Sequence, residues 1–363
     1  MSELKVDKVS PRTGTYVSLN TVGSKNIIIN GDMSLAQRST SEASLTSTAY
    51  TYPTLDRWFF TRTADCGTWT MSQSTDVPSG YGFATSLKLD CTATASVSGA
   101  STDLRIIQKF EGQNLQYLKY GSANAQSTTL SFWVKSTKTG TFIAELNSKD
   151  TRSISKSYTV SVSNTWEYKT ITFAGDVSGV IDNDNSEELQ VIFWLVAGTT
   201  FTSGTLNTSW GSMTNANRAV GQVNIGDNTA NDFLITGVQL EAGTTASDFE
   251  FLPYDVNLLR CQRYYNKYIS SGSNIGASYN GSSGTFFVYF PTTMRATPTK
   301  SSTSGTSFYR FYRLSSYDDI TSLGDNGGKK EYMSFSFATT SAGGTGGELS
   351  VRTGGVLEAD AEL

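Results

Sequence analysis

Tryptophan is the residue type in this 363-residue sequence with the clearest capacity to recognise another molecule, and there are six of them. A flat indole ring can cover the C–H face of a pyranose sugar. Trp69, Trp133 and Trp210 are candidates for such stacking: Trp69 and Trp210 have largely polar sequence neighbours, and Trp133 falls on the polar side of an alternating segment. Packing inside the protein is the more common role, and it is predicted for Trp58, above a hydrogen-bonded Asp-Arg pair, and for Trp194, within an apolar run.

One acidic segment has the composition of a calcium-binding loop. Residues 182–188, Asp-Asn-Asp-Asn-Ser-Glu-Glu, place oxygen atoms at alternate positions. The segment lacks the sixth-position glycine and the final bidentate glutamate of an EF-hand loop. We therefore predict a solvated acidic turn, with calcium ligation by Asp182 and Asp184 as the alternative.

The absence of histidine removes several kinds of chemistry. Histidine-activated nucleophiles, histidine proton shuttles and histidine-ligated zinc are all excluded, which leaves carboxylate, lysine and tyrosine chemistry. Two glycosidase carboxylates on distant strands cannot be recognised from spacing, but the sequence has neither a glycine-rich phosphate loop nor a serine nucleophile elbow. We predict that the protein is not an enzyme, and that structural Ca²⁺ is the one candidate cofactor.

Cysteine count and charge indicate where the chain is made and what it does not bind. Cys66, Cys91 and Cys261 are odd in number and widely spaced, which favours buried thiols in a cytosolic product. The formal charge is −4 and the basic residues are scattered, so a nucleic-acid partner is not expected. The sequence contains no long apolar run and its first eight residues include four charged ones, so we expect neither a secretory signal nor membrane insertion.

Short segments that alternate apolar and polar residues recur from Asn26 onward, as in half-buried strands of a β-sandwich. The clearest are 86–92, 129–135, 158–163, 189–197 and 233–241. Trp133 falls on the polar side of its segment, whereas 189–197 is apolar on both faces and should be a central strand. Strands at this spacing suit a two-sheet jelly roll whose first and last strands, 26–33 and 233–241, lie side by side.

A helix and a second β-module follow the jelly roll. Asp255 is a good N-cap, and apolar residues recur at helical spacing as far as Tyr268. Alternation then returns in 285–290, 308–313, 331–339 and 351–363, and these strands are more aromatic than so small a module buries alone, which indicates a subunit interface.

The predicted class is all-β: a jelly-roll β-sandwich, a short helix and a small C-terminal β-sandwich module. The predicted parts are an N-terminal docking arm (1–25), the jelly-roll domain (26–252), a linker helix (253–269) and the C-terminal β-module (270–363).

Several segments, taken in order, resemble tail-fibre-like proteins of tailed bacteriophages, particularly marine ones. They include Asn-Ile-Ile-Ile-Asn-Gly-Asp-Met (26–33), Leu-Asp-Arg-Trp (55–58), Val-Gln-Leu-Glu-Ala-Gly (238–243), Cys-Gln-Arg-Tyr-Tyr (261–265) and Asp-Ala-Glu-Leu (360–363), with further matches at 5–14 and 291–298. The central module also resembles the jelly roll of carbohydrate-binding modules, which open with an Asn-x-x-x-Asn-Gly strand and close with a Val-x-Leu strand.

The resemblance implies a virion protein, synthesised in the host cytoplasm, that forms homotrimers and mediates adhesion to host surface glycans as a tail-fibre or attachment subunit. It also implies that the N-terminal arm docks to other virion proteins; the candidate docking residues are Leu4, Val6, Val9 and Pro11. Jelly rolls of this type further suggest a structural calcium ion near the first and last strands, with Asp32 or Glu241 contributing.

Two alternative functions remain open from the sequence. The same modules would suit a capsid decoration or head-fibre protein that binds chiefly to the shell. A polysaccharide-cleaving tailspike is the second alternative, although tailspikes of that kind are typically long parallel β-helices and this sequence has no fixed-period repeat.

Overall fold

The computed structural model describes residues 8–9, 17–18, 25–46, 49–63, 65–94, 99–269, 273–280, 283–306, 308–313, 316–320, 322–338 and 346–363. Nearly all of the regular structure is β-strand, so the predicted all-β class is confirmed. No helix in these ranges is long and apolar enough to cross a membrane. The first described pieces, β1 (Lys8–Val9) and β2 (Val17–Ser18), pair antiparallel.

The next strands form a jelly-roll sandwich of two sheets. They are β3 (Ser41–Leu45), β4 (Ala49–Thr51), β5 (Phe59–Arg62), β6 (Thr68–Ser74), β7 (Ser86–Ala93), β8 (Asp103–Glu111), β9 (Thr128–Ser136), β10 (Gly140–Ser148), β11 (Arg152–Val160), β12 (Glu167–Phe173), β13 (Glu187–Ala197), β14 (Gly211–Ser212) and β15 (Asp232–Ala242). The seven-stranded sheet has the order β14-β11-β10-β13-β8-β5-β4 and the six-stranded sheet has the order β12-β9-β15-β7-β6-β3. Many strands that are neighbours in a sheet are far apart in the sequence, because the connections of a jelly roll cross between its two sheets.

Short helical segments lie in the connections of this module. They are α1 (Thr199–Thr202) and single 3₁₀ turns at Gly112–Asn114, Gln116–Leu118, Asn215–Asn217 and Ile225–Asp227.

The main core lies between the two sheets and follows the alternation of the sequence. In β9, Phe132 and Val134 have no exposed surface, whereas Trp133 between them is partly exposed on the outer face. β13 lies between β10 and β8 and is buried on both faces, which confirms it as a central strand. Phe193 packs in the main core, and Trp194 packs on the opposite face beneath the connection that contains α1.

The segment 26–33 is not a strand, so that prediction is wrong. It lies beside β15, where the Ile27 amide donates to the Leu240 carbonyl at 2.9 Å. Asn30 and Met33, however, have φ values of 58° and 59°, which interrupt an extended chain. The segment occupies the place beside β15 that β7 leaves open, because β7 pairs only with the first four residues of β15.

A second, smaller sandwich forms the C-terminal module. Its strands are β16 (Tyr265–Ile269), β17 (Ser273–Asn280), β18 (Ser283–Tyr289), β19 (Thr299–Ser302), β20 (Tyr309–Arg313), β21 (Ser316–Ile320), β22 (Leu323–Gly328), β23 (Tyr332–Ala338), β24 (Gly346–Val351) and β25 (Val356–Asp360). The sheet orders are β16-β25-β19 and β21-β20-β24-β17-β18-β23-β22. The predicted single strand at 351–363 is wrong: a turn at Gly354, with φ of 83°, separates β24 from β25.

The predicted helix is present but short. α2 spans Tyr254–Gln262, its N-cap residue is Pro253, and Asp255 lies in its first turn. Tyr268, predicted as helical, belongs to β16, which pairs along its whole length with β25. The prediction fails there because pairing with a distant strand outweighs a local helical spacing.

Buried polar contacts join the two modules. The carboxylate of Glu111 in β8 has no exposed surface and accepts hydrogen bonds from Arg263 at 2.7 Å and from the Tyr264 hydroxyl at 2.6 Å. Burial alone would raise the pKa of Glu111, but these donors hold it below its usual range. The Arg57 guanidinium pairs with Glu362 and lies 3.4 Å from the centre of the Tyr264 ring. Three of the segments that carry the phage resemblance therefore meet at this junction.

Trp58 is buried, as predicted, and its indole N–H donates to the Asn30 carbonyl at 3.0 Å. The predicted hydrogen bond between Asp56 and Arg57 is wrong. Asp56 instead accepts from the Gln37 side chain at 2.6 Å, while Arg57 turns toward the C-terminal module.

Candidate functional site

The outer face of the six-stranded sheet carries a cluster of exposed aromatic rings. Trp133 projects from β9, and its ring centre lies 4.2 Å from that of Tyr81 and 5.3 Å from that of Tyr168 on β12. Tyr81 and Tyr168 are 56% and 45% exposed. Strand alternation puts Trp133 outside, and the pairing of Trp133 with Tyr168 across β9 and β12 brings the second ring beside it.

A second group of rings closes one end of this cluster. Phe83, Phe249 and Phe251 contact one another with centroid separations of 4.8–5.2 Å. Gly237 in β15 lies beneath them with φ of 62°, and a β-carbon there would come within 2.5 Å of Phe83. Only glycine therefore allows the phenylalanines to pack down onto the strand. The rings bound a cavity of about 440 Å³.

Hydroxyl groups line an adjoining cavity of about 380 Å³. Its lining residues are Thr129, Tyr168, Thr170, Thr172, Thr244, Thr245, Ala246, Ser247 and Asp248. Tyr168 and Asp248 line both cavities, so the two form one groove with an aromatic end and a hydroxyl end. We call this feature the groove.

The loop 244–252, which forms one wall of the groove, is held to β15 by two buried side chains. Glu241 accepts hydrogen bonds from the backbone amide of Ser247 at 2.8 Å and from its hydroxyl. Gln239 accepts from the Glu250 amide at 2.9 Å and donates to the Asp248 carbonyl at 3.3 Å. The motif at 238–243 thus positions this wall.

Charge in the groove is confined to one residue. Among the described lining residues, Asp248 alone carries a formal charge, and it is exposed. Lys135 lies on the same face of β9 as Trp133 but is paired with Asp76 at 2.6 Å. Asp76 also accepts from the Trp166 indole, and although burial alone would raise its pKa, these two donors lower it.

The three tryptophans proposed for stacking are not brought together. Trp69 has no exposed surface and donates to the Cys66 carbonyl at 2.6 Å, so it offers no face to a ligand and that assignment is wrong. Trp210 is half-buried, donates to the Ala174 carbonyl at 2.6 Å and packs against Tyr120 outside the lining of the groove. Of the three, only Trp133 lines the groove.

The candidate metal ligands have other partners. Among the described residues, no three Cys, Asp or Glu side chains cluster as a metal ion requires. Asp32 accepts from Ser34 and Asn257, Glu241 holds the loop, and Asp184 accepts from the Ser186 amide at 2.8 Å. Asp182 lies in the same exposed turn. Calcium binding stays a prediction.

All three cysteines are free and buried, as predicted, and burial raises the pKa of the Cys66 thiol to about 11. Of the docking candidates, Leu4, Val6 and Pro11 lie outside the described residues, and for Val9 only the backbone pairing in β1 is described.

Sequence reasoning missed Tyr81, Tyr168 and the loop wall. On β12, Tyr168 lies on the outer side of a strand whose residues alternate between the two faces, and this period of two could have identified it from the sequence. Tyr81 follows the turn at 78–80 and gave no such signal.

Comparisons with known proteins found likeness in structure only. Neither a protein-family model nor a curated protein sequence matches the chain. The enzymatically active domain of tailspike protein 4 from bacteriophage CBA120 matches with 16% identity and a TM-score of 0.31, over 60% of this chain and 21% of that one. This chain therefore spans about a fifth of the tailspike structure.

Carbohydrate-binding modules are also among the structural neighbours. TmCBM61, solved with β-1,4-galactotriose, matches with 9% identity and a TM-score of 0.30, over 60% of this chain and 99% of that module. The C-terminal family 22 module of Clostridium thermocellum Xyn10B matches with 11% identity and a TM-score of 0.29, over 57% of this chain and 96% of that module. The likeness is one of β-sandwich fold.

Proposed function

We propose that this chain is a glycan-binding attachment subunit of a tailed-phage particle, and that the groove is its binding site. The observation that carries the proposal is the position of Trp133 between Tyr81 and Tyr168, two exposed rings on one sheet face. Aromatic faces stack on the C–H faces of pyranose rings, and the threonine hydroxyls beyond Tyr168 can exchange hydrogen bonds with sugar hydroxyls. Both kinds of contact lie along one groove.

Binding without cleavage is the activity that this groove supports best. Glycoside hydrolysis ordinarily uses two carboxyl groups on either side of the scissile bond. Among the described residues that line the groove, Asp248 is the one carboxylate. The proposal therefore assigns the chain to recognition of a polysaccharide rather than to its degradation.

The assignment to a virion rests on the resemblance of the sequence segments to tail-fibre-like proteins. In this proposal the N-terminal arm docks to the particle and three copies associate. Phe287 and Tyr289 are exposed on the C-terminal module, Tyr289 by 71%, and both pack against the partly exposed Tyr332, which supports an interface between copies. Three weak sites on one fibre raise the overall affinity by avidity.

Replacement of Trp133 tests the binding site. We expect Trp133→Ala to weaken glycan binding at least about tenfold, as for a central interface residue, in affinity electrophoresis and on a glycan array. The matched control is Trp210→Ala, which removes an indole outside the groove and should leave binding unchanged while lowering thermal stability. Undiminished binding by a folded Trp133→Ala protein contradicts the proposal.

Three further measurements test the rest of the proposal. Mass measurement of the isolated protein distinguishes a trimer from a monomer, and a label on residues 1–25 in intact particles distinguishes tail attachment from shell decoration. Incubation with host envelope glycans should release no reducing ends. Their appearance would instead favour a polysaccharide-cleaving tailspike.

A further inference from the structure

The single charged side chain of the groove lies where its two halves meet. Asp248 lines both the aromatic cavity and the hydroxyl cavity, so a chain that occupies both must pass it. Its backbone carbonyl accepts from the buried Gln239 side chain, which fixes the position of the residue. No described residue donates a hydrogen bond to its exposed carboxylate or forms an ion pair with it. This charge is therefore presented to whatever enters the groove.

No cation among the described lining residues offsets that charge. The described lining contains no lysine or arginine, and Lys135, on the same strand as Trp133, is held by Asp76. A ligand carboxylate or sulfate near Asp248 would lose part of its hydration and meet a like charge. At about 5 Å, with an effective dielectric constant of about 20 to 60 and the screening of about 0.1 M salt, the repulsion amounts to roughly a three- to thirtyfold loss of affinity.

We infer that Asp248 makes the groove selective for uncharged glycan chains and excludes chains that carry carboxylate or sulfate groups. This inference rests on the proposed glycan-binding function. The same carboxylate can help to bind an uncharged chain and to exclude an anionic one, because it accepts hydrogen bonds from sugar hydroxyls and repels negative charge. Asp248 is thus a specificity-determining residue, and Gln239 is the residue that positions it.

The experiment compares glycans that share a backbone and differ only in charge. Soluble neutral polysaccharides are each paired with the derivative whose C6 hydroxymethyl groups are oxidised to carboxylates, and both are tested by affinity electrophoresis. Wild-type protein should be retarded by the neutral polymer and much less by its carboxylated partner. In Asp248→Asn the ratio of carboxylated-polymer affinity to neutral-polymer affinity should rise about three- to thirtyfold, because the amide keeps one accepting oxygen and loses the charge.

Salt and a control variant separate this effect from a change in net charge. The wild-type discrimination should shrink between about 0.02 M and about 0.5 M NaCl, because exposed charges are screened. Asp182→Asn makes the same charge change on an exposed turn outside the groove lining and should behave like wild type. An unchanged ratio of neutral to carboxylated affinity in Asp248→Asn, or equal gains in both aspartate variants, would overturn the inference.

Failure of the proposed function gives a different result. If Trp133→Ala retains full affinity for the neutral polymers, or if wild type binds none of them, the groove is not a glycan site and the inference falls with it. If Trp133→Ala loses neutral binding while Asp248→Asn leaves the discrimination intact, the groove binds glycans and only the role of Asp248 is wrong.

Discussion

Glu241→Gln is expected to release the loop wall of the groove while leaving the sandwich intact. The substitution keeps the size of the side chain but removes its charge and replaces one accepting oxygen with an amide group. The wild-type carboxylate is 6% exposed and accepts from the Ser247 amide, the Ser247 hydroxyl and the Gln239 side chain, all at 2.8–3.0 Å. In the variant the amide nitrogen can face the Ser247 hydroxyl, which is able to accept from it, but the remaining hydrogen bonds lose their charged acceptor.

The magnitude follows from the nature of these bonds. Hydrogen bonds to a charged group contribute about 1.5–3 kcal/mol each to stability, and a buried donor left without an acceptor costs a similar amount. If loss of about one such interaction lowers the free energy of local opening, amide exchange at Ser247 should accelerate about 10- to 100-fold. Because the loop carries Asp248, Phe249 and Phe251, glycan affinity should fall as well.

Hydrogen exchange followed by NMR or mass spectrometry measures this opening directly. The amides of Ser247 and Glu250 should exchange faster, whereas core amides of β15 such as Leu234 should keep their wild-type protection. Glu42→Gln, on the exposed edge strand β3, is the matched control and should change neither exchange nor binding. Unchanged protection of Ser247 in Glu241→Gln would refute the assignment of this carboxylate as the loop anchor.

Two predictions concern the junction. Glu111→Gln should lower the free energy of unfolding by about 2–4 kcal/mol, since it leaves a partly buried guanidinium unpaired. The control is Asp90→Asn, which removes the exposed pair of Asp90 with Lys88 and should lower the free energy of unfolding by less than about 1 kcal/mol. Urea unfolding measures both. Burial raises the pKa of Asp56 to about 6, against the donors from Gln37, so the folded state binds its proton more tightly than the unfolded state does. The stabilisation from this protonation is therefore complete below about pH 4 and is lost as the pH rises through 6. Between pH 7 and pH 4, the free energy of unfolding of wild type should rise by about 2–3 kcal/mol relative to that of Asp56→Asn. A pH-independent difference in urea unfolding between those two proteins would contradict the raised pKa.

Local alternation was sufficient to predict most strands and their faces. The segments 129–135 and 189–197 were assigned correctly because each side chain of a strand is directed by its own position in the pleat. The prediction failed where pairing with distant strands decides the backbone. Residues 265–268 have a helical spacing of apolar groups but pair with β25, and 26–33 lies beside β15 with two left-handed residues instead of forming a strand.

The candidate site could be predicted only in part for the same reason. The alternation of 129–135 placed Trp133 on the outer face, and this was borne out. The polar sequence neighbours of Trp69 also suggested an exposed ring, but Trp69 is buried. The exposure of a ring depends on what packs against its face of the sheet, which its sequence neighbours do not specify. The sequence suggests Glu241 as a calcium ligand, which stays a prediction, and only its contacts with Ser247 in the folded chain show that it anchors the loop.

Residue types and local alternation are enough to establish that this chain forms short strands, that it lacks histidine chemistry, and that one tryptophan of β9 points away from the core. These properties depend on residue type and on a period of two, which act over a few residues. That Tyr81, Trp133, Tyr168 and Asp248 share one groove is visible only in the folded chain. They come from four separate stretches of chain, and their meeting depends on strand register and on a loop held by buried side chains, neither of which a local pattern specifies.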